Sequence, residues 1–186
     1  SGITLLGDTL KFVAGPQTDY FRSPDGSVVN NSAVIFTEVD NTKPFTFTAK
    51  VQPEFTETGT YSAGVIYAYE NDTHCQKLCF EQDEYGDHRV VSVRTLGTSD
   101  DNNHQAITAP YVYMRLSSDG TTLGSYFSED GKIWRMARLY KNDFPEKLLI
   151  GISSQSPKDN EHTCLFTEVS LTDKPVADFR KGNIAE

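Results

Sequence analysis

Apolar and polar residues alternate with period two in many short segments of this chain, and this pattern constrains the fold more than any other feature. Within residues 45–52, Phe45, Phe47, Ala49 and Val51 alternate with polar or charged residues. Successive side chains of a strand point to opposite faces, so this segment predicts a strand with one buried face. The same alternation recurs in segments 10–14, 61–70, 76–83, 89–96, 111–117, 148–153 and 164–171. The chain is therefore predicted to form about ten to twelve short strands.

Turn-forming residues separate these segments. Asp130-Gly131 lies between two strand-like segments and predicts a tight hairpin turn, and Asp119-Gly120 predicts a second one. Only residues 143–147 indicate a short helical turn. Many short strands with regularly spaced turns are typical of an antiparallel two-sheet sandwich. We therefore predict an all-β fold of that architecture.

The length of 186 residues fits one domain. The sequence contains no Gly-Ser linker, low-complexity tract or internal repeat. We expect residues 1–186 to form a single β-sandwich domain. The alternation stops after Thr172, so residues 173–186 are expected to be a C-terminal extension that wraps the sandwich or frays.

Charge and composition exclude several classes of partner. The chain carries 17 Lys and Arg against 26 Asp and Glu, a net charge of −9, which disfavours binding to the phosphate backbone of nucleic acids. No apolar run approaches the roughly 20 residues that a membrane helix needs, so we expect no membrane partner. The three cysteines, Cys75, Cys79 and Cys164, are an odd number and predict reduced thiols in strands of a cytoplasmic protein.

A search for catalytic and metal-binding motifs favours a protein without cofactor, metal or catalytic residues. The sequence has no Gly-x-Ser-x-Gly elbow, no phosphate-binding glycine loop and no His-Glu-x-x-His motif. Residues 100–103 offer oxygen ligands but lack the glycine and distal glutamate of a calcium loop. Glu81-Gln82-Asp83 resembles the start of the Glu-x-Asp-x-x-Glu motif of laminarinase-type glycoside hydrolases. Its acid position falls on Gly86, or on Tyr85 in the shorter variant, and neither residue can act as a carboxylic acid.

Alternation also sorts side chains into buried and open faces. The predicted buried set is Leu78, Phe80, Val91, Val93, Met114 and Leu116. The predicted open set is Lys77, Glu81, Arg94, Tyr113 and Arg115. If their strands share one sheet, these open residues form a charged patch on the concave side of the sandwich, where ligands commonly bind. The alternative is an ordinary solvated sheet face with ion pairs between strands.

Two residues from an early loop, Asp19 and Tyr20, are expected to reach the mouth of the same patch. A cation beside Glu81 predicts a lowered pKa for its carboxyl group. We expect Arg115→Ala to abolish ligand binding at little cost in stability.

Several segments, in the same order along the chain, carry a family resemblance. They are residues 18–22, residues 45–51, Lys77 with Glu81, residues 92–95, residues 127–134 and Ser156-Pro157. From Thr18 to about Thr172 the chain resembles a domain-of-unknown-function family that includes the regulation-of-enolase protein. Tyr61-Ser62 departs from that family's usual Asp-Gln, and Asp101 stands where a tryptophan is common. The resemblance implies a concanavalin A-like jelly roll, a sandwich shared with sugar-binding lectins and carbohydrate-binding modules.

These observations favour a non-catalytic domain that binds a carbohydrate or small polar ligand. The predicted ligand-binding residues are Asp19, Tyr20, Lys77, Glu81, Arg94, Tyr113 and Arg115. One alternative, implied by the resemblance, is a regulatory or scaffold partner of a cytosolic metabolic enzyme. A third hypothesis is a glycoside hydrolase or lyase that uses Glu81 with Asp19 or Asp83.

Overall fold

The computed structural model describes residues 1–184, and every regular element in that range is a β-strand. The strands are β1 (Gly2–Leu6), β2 (Thr9–Ala14), β3 (Tyr20–Arg22), β4 (Val28–Asn30), β5 (Val34–Asp40), β6 (Phe45–Pro53), β7 (Ala63–Asn71), β8 (His74–Gln82), β9 (His88–Leu96), β10 (Thr98–Ala106), β11 (Val112–Ser118), β12 (Thr122–Ser128), β13 (Arg135–Lys141), β14 (Lys147–Gln155) and β15 (His162–Thr172). The helical turn predicted at residues 143–147 is absent. No helix within residues 1–184 is long and apolar enough to cross a membrane.

Two large antiparallel sheets form the sandwich. The seven-stranded sheet has the order β1-β2-β15-β6-β11-β12-β13, and the six-stranded sheet has the order β10-β9-β8-β7-β14-β5. Their inner faces meet in one apolar core that includes Phe12, Phe47, Leu78, Met114 and Phe166. The prediction of an all-β, antiparallel two-sheet sandwich of the concanavalin A-like jelly-roll type is confirmed.

A two-stranded hairpin, β3–β4, lies on the outer face of the six-stranded sheet. Tyr20 and Phe21 of β3 pack against a second apolar cluster on that face, and the Arg22 backbone N–H donates to Ser99 Oγ at 3.0 Å. The cluster consists of Ala63, Val65, Tyr67, Cys79, Val91 and Val93. Both faces of this sheet therefore bury apolar side chains.

The two covered faces explain why the predicted orientation of β9 is wrong. Val91 and Val93 lie on the outer face with Cys79, whereas Ser92 and Arg94 face the other sheet. Alternation gives the two faces of a strand but does not say which face meets the main core when both are covered. On β8 the prediction is correct, because Leu78 and Phe80 belong to the main core.

The predicted placement of Arg115 in the same sheet as Glu81 is also wrong. Arg115 lies on β11 of the seven-stranded sheet, whereas Glu81 lies on β8 of the six-stranded sheet. Arg115 points outward, because its neighbours Met114 and Leu116 are in the core. The proposed single patch therefore does not exist.

The C-terminal segment crosses the outer face of the seven-stranded sheet. Thr46 Oγ1 donates to the Lys174 carbonyl at 2.6 Å, and the Tyr126 hydroxyl donates to the Phe179 carbonyl at 2.7 Å. Val176 of this segment is buried, and its backbone N–H donates to Ser117 Oγ at 2.9 Å. The described part of the predicted extension, residues 173–184, thus wraps the sandwich, and residues 185–186 lie outside the described chain.

Of the two predicted hairpin turns, one is short and the other is a longer loop. Residues 119–121 connect β11 to β12, but the connection from β12 to β13 spans residues 129–134 instead of a two-residue turn. It is longer because Asp130 Oδ1 accepts the backbone N–H groups of Lys132 and Ile133 at 2.8 Å and folds the loop on itself.

All three cysteines are free and buried in strands.

Candidate functional site

A cavity of about 790 Å³ lies between the β3–β4 hairpin and the outer face of β8, β9 and β10. Its floor includes Val91 and Val93, and the hairpin contributes Phe21 and Val29 to its wall. Its charged lining consists of Asp19, Lys77, Glu81, Glu84, Asp101 and Lys158. A partly apolar cleft with a few convergent polar groups is the usual form of a small-molecule site.

A buried ion pair stands at the centre of this cavity. The Lys77 side chain is only 4% exposed, and its ammonium donates to Asp19 Oδ1 at 2.7 Å and to Gln155 Oε1 at 2.9 Å. Burial is the largest single effect and lowers the pKa of Lys77, but Asp19, Cys79 and Tyr67 together outweigh it, so the net pKa lies above its ordinary value. Lys77 is therefore charged at neutral pH. The third hydrogen of its ammonium has no hydrogen-bond acceptor within residues 1–184.

Glu81 lies on the same face of β8, four residues along, and is 9% exposed. Within the described chain the only hydrogen bond of its side chain comes from Gln155 Nε2 to Glu81 Oε2, at a long 3.4 Å. Burial raises the pKa of the Glu81 carboxyl to about 8, because the opposing effect of Lys77 is smaller than the cost of desolvation. The predicted lowering of this pKa is wrong, and Glu81 is protonated at neutral pH.

Asp101 brings a second carboxyl group to the cavity. Strand register places Lys77, Val93 and Asp101 side by side on β8, β9 and β10, so the Cα atoms of Lys77 and Asp101 are about 10 Å apart. Desolvation in the cavity raises the pKa of Asp101, and its carboxylate forms no salt bridge with any residue of the described chain. Glu81 and Asp101 are therefore two carboxyl groups of the lining that lack a salt bridge within residues 1–184.

Strained backbone borders the cavity. Only three non-glycine residues in the described chain have positive φ, and two of them, Gln17 (φ 54°) and Tyr61 (φ 64°), line this cavity. The Tyr61 carbonyl accepts Gln155 Nε2 at 3.0 Å, and the Gln17 carbonyl accepts Asn31 Nδ2 at 3.0 Å. Left-handed conformations of non-glycine residues are uncommon and concentrate at functional sites.

The structure brings together three of the seven predicted ligand-binding residues, namely Asp19, Lys77 and Glu81. Tyr20 lies next to them but packs its ring against Tyr67 and Tyr69, with both centroid distances at 6.0 Å, and does not line the cavity. Its chain neighbour Phe21 supplies the aromatic wall instead.

The other three predicted residues lie elsewhere. Arg94 points to the inner side of the sheet, where it lies 4.0 Å from the ring centroid of Tyr140 and pairs with Asp143. Tyr113 is on the outer face of the seven-stranded sheet, and its hydroxyl donates to Glu168 at 3.1 Å. Neither Arg94 nor Tyr113 therefore lines the cavity.

Arg115 is buried on that same outer face beneath the C-terminal segment. It donates to the Gly182 carbonyl at 2.7 Å and to Thr48 Oγ1 at 2.9 Å, and its guanidinium lies 3.7 Å from the ring centroid of Trp134. Burial lowers its pKa to about 10. Arg115 therefore holds the C-terminal segment against the sheet. The expectation that Arg115→Ala abolishes ligand binding at little cost in stability assumed that Arg115 lies in one patch with Glu81, and that premise does not hold.

Two residues of the cavity escaped the sequence analysis. Gln155 joins Lys77 to Glu81 through its side-chain oxygen and nitrogen. The only feature of the sequence that pointed to Gln155 was its position just before Ser156-Pro157, one of the segments that carry the family resemblance. Asp101 was noted among the oxygen ligands of residues 100–103 and as a departure from the family pattern, but not as a ligand-binding residue. Asp83 is not available as a catalytic partner, because its carboxylate accepts the backbone N–H groups of Tyr85 and Asp87 and pairs with Arg89 at 2.7 Å.

Within residues 1–184 no group of three or more His, Cys, Asp or Glu side chains is arranged to hold a metal ion. The cavity instead offers donors and acceptors of hydrogen bonds. Lys77 and protonated Glu81 can donate, while Asp19, Asp101 and the amide oxygens can accept.

Comparison with solved structures identifies similar folds. A functionally unknown protein from Saccharomyces cerevisiae matches with a TM-score of 0.83 and 22% identity, over 92% of this chain and 91% of that one. A GH43 protein from Bacillus licheniformis matches with a TM-score of 0.68 and 14% identity, over 89% of this chain but only 33% of its own length. An alginate lyase from Pseudomonas aeruginosa matches with a TM-score of 0.55 and 12% identity, over 92% and 86% of the two chains. At these identities the likeness shows the fold alone.

Comparison with known families gives a more direct assignment. None of the curated proteins matches this chain. A family model described as "Protein of unknown function (DUF1349)" matches residues 4–174, which is most of the sequence. The chain therefore belongs to this family of proteins of unknown function.

Proposed function

We propose that the protein binds a small polyhydroxylated ligand, such as a carbohydrate, in the cavity beneath the β3–β4 hairpin. The observation that carries this proposal is the hydrogen-bonded series Asp19–Lys77–Gln155–Glu81, which is buried yet lines a cavity large enough for a sugar unit or two. Polar groups that are buried and incompletely partnered are costly, which favours a role in recognition.

The chemistry of the lining suits hydroxyl groups. A hydroxyl both donates and accepts, so it can receive a hydrogen from Lys77 or Glu81 and donate to Asp19 or Asp101. Phe21, with the adjacent valines, offers an apolar surface for the C–H groups of a sugar ring. Anionic ligands fit poorly, because Asp19 already neutralises Lys77.

A thermal-shift screen of neutral mono- and oligosaccharides, polyols and metabolites tests the proposal. We expect at least one polyhydroxylated compound to raise Tm. Asn103→Trp should remove that shift, because Asn103 lines the cavity from β10 and an indole there would fill it. Asn102→Trp is the matched control, since Asn102 pairs with inward-facing Ser92 and lies on the opposite face of the same strand. A screen without any shift, or equal loss in both variants, would contradict the proposal.

A second candidate function is the binding of a protein partner, such as the metabolic enzyme that the family resemblance implies. The observation in its favour is the edge strand β1, where Ile3, Leu5 and Leu6 are 49%, 72% and 55% exposed. Exposed apolar residues on an edge strand are suited to association. Binding to an isolated enolase-type enzyme that is lost in Leu5→Lys, but kept in Asn103→Trp, would favour this candidate over the cavity.

Catalysis by Glu81 is the third candidate. A buried carboxylic acid with a pKa near 8 can donate a proton, and retaining or inverting glycosidases combine such an acid with a second carboxylate. Asp19 is held by Lys77 and Asp83 by Arg89, which leaves neither free in the absence of ligand. Assay of the same carbohydrate library for newly formed reducing ends distinguishes hydrolysis from binding.

A further inference from the structure

We propose that the cavity prefers ligands that carry a protonated amine beside their hydroxyl groups, such as amino sugars, with the ammonium seated against Glu81. This inference rests on the proposed function and specifies its ligand class. Its basis is the charge distribution of the cavity together with the position of Glu81, a side chain that is nine-tenths buried and directed into the cavity.

The carboxyl groups of the lining outnumber its cations, with Asp19, Glu81, Glu84 and Asp101 against Lys77 and Lys158. Lys77 is the one buried cation of the lining, and its Nζ already forms an ion pair with Asp19 Oδ1 at 2.7 Å. Glu81 and Asp101 remain without a salt bridge within residues 1–184. Lys158 and Glu84 are exposed at the rim and have opposite charges. A ligand with one positive charge would therefore complement this lining and form an ion pair with Glu81 once that carboxyl group loses its proton, which a neutral ligand cannot do.

Most of the charged groups around Glu81 disfavour its ionised form. Lys77 on its own strand is the cation that favours the carboxylate, while Asp19, Asp101 and Asp83 disfavour it. Arg89 stands opposite Glu81 on β9 but is bound by Asp83, and β7 contributes only uncharged Ala63 at this position. From β14, Gln155 contributes a neutral amide. Lys77 and Arg89 are thus each paired with an aspartate, Lys158 is exposed at the rim, and Glu81 forms no ion pair within the described chain.

An ammonium group from a ligand would supply that missing cation. On binding, the O–H bond of the protonated Glu81 carboxyl breaks, its proton passes to solvent, and the resulting carboxylate accepts hydrogen bonds from the ammonium. A pKa of about 8 means that about nine-tenths of Glu81 is protonated at pH 7 in the empty protein. Binding of an amino sugar at pH 7 should therefore release close to one proton.

Calorimetry with three sets of sugars tests this inference. The probes are glucosamine, galactosamine and mannosamine, their N-acetyl derivatives, and the corresponding neutral hexoses, each titrated at pH 7 in two buffers that differ in ionisation enthalpy. We expect at least one free amine to bind roughly tenfold or more tightly than its acetylated and neutral counterparts, with proton release that depends on Glu81. In Glu81→Gln the preference and the released proton should both disappear. Glu38→Gln, an exposed position on β5 of the same sheet, is the matched control and should retain both.

Each other outcome has a distinct meaning. If neutral and acetylated sugars bind as tightly as the amines without proton release, the amine preference is wrong while the proposed function stands. If the preference persists in Glu81→Gln, the assignment to Glu81 is wrong. If none of the nine sugars binds although other polyhydroxylated compounds raise Tm, the inference fails alone, and if nothing binds at all, the proposed function fails with it.

Discussion

The two outer faces of the sandwich each bury a basic side chain but use it differently. On the six-stranded sheet, Lys77 forms an ion pair with Asp19 and borders a cavity. On the seven-stranded sheet, Arg115 forms no salt bridge within residues 1–184, and carbonyl, hydroxyl and aromatic groups surround it. The comparison shows that a buried cation does not by itself mark a binding site. What distinguishes the two faces is the covering element, because the β3–β4 hairpin leaves space and the C-terminal segment does not.

The close fit over Arg115 depends on a glycine. Gly182, whose carbonyl accepts the Arg115 guanidinium, has a φ of +71°, and a Cβ atom at this position would lie 2.5 Å from the Tyr126 ring. Only glycine allows this conformation and this approach together. The C-terminal segment is thus fitted to the sheet, whereas the strained residues on the other face, Gln17 and Tyr61, surround open space.

The largest expected effect is the loss of the buried ion pair. Asp19→Ala leaves the Lys77 ammonium buried with only Gln155 as a partner, and we expect it to lower the free energy of unfolding by about 3–5 kcal/mol. The matched control is Glu38→Ala, which breaks the exposed pair with Lys147 and should cost less than about 1 kcal/mol. Urea unfolding of the three proteins measures both values. Similar small losses in both variants would show that Lys77 is not dependent on its pair.

Truncation in the main core tests the inward direction of β11. Met114 is fully buried, so Met114→Ala should lower the free energy of unfolding by about 2–5 kcal/mol. Its neighbour Tyr113 points outward, and Tyr113→Ala should cost less. Chemical denaturation of both variants gives the comparison, and a larger loss for Tyr113 would contradict the orientation of this strand.

Loss of Arg115 should affect stability and leave the cavity intact. Arg115→Ala removes two hydrogen bonds from a charged donor and should cost roughly 1.5–3 kcal/mol. Arg135→Ala, an exposed arginine on β13, is the control and should have little effect. Ligand binding should be unchanged in both variants. If Arg115→Ala lost ligand binding but kept its stability, this account would be contradicted, and Arg115 would be the ligand-binding residue that the alternation of its strand predicted.

A change in the pH dependence of stability is also expected. The pKa of Glu81 is raised from 4.5 to about 8, so the folded state holds a proton that the unfolded state releases between these values. Glu81 therefore contributes stability below pH 4.5 that is lost as pH rises through 8. Relative to wild type, Glu81→Gln should become progressively more stable from pH 5 to 9, as measured by Tm. A difference that is constant or moves in the opposite direction would contradict the raised pKa.

The sequence predicted the strands and the fold class better than the site. Alternation on β8 correctly separated Leu78 and Phe80 from Lys77 and Glu81, because periodicity is a local property. The order of strands in a sheet is not local, so nothing in the sequence showed that Arg115 and Glu81 belong to different sheets. The second covered face, which reversed the orientation of β9, depends on where the β3–β4 hairpin packs.

The chemistry of the site was predictable only in part. Asp19, Lys77 and Glu81 are charged and were selected for that reason. Gln155 is neutral and gave no such signal, although it connects the two buried ionisable side chains of β8, Lys77 and Glu81. The pKa of Glu81 could not be predicted from a neighbouring cation, because its sign depends on burial that only the folded chain creates.

Chemical-shift mapping tests most directly the central claim that one outer face binds ligand and the other does not. Backbone amide spectra of the ¹⁵N-labelled protein would be recorded during titration with a sugar that raises Tm. Binding in the cavity predicts that the largest shifts fall on Asp19, Lys77, Glu81, Asp101 and Gln155, with residues around Arg115 and Gly182 unchanged. The largest shifts around Arg115, with none near Lys77, would contradict the account.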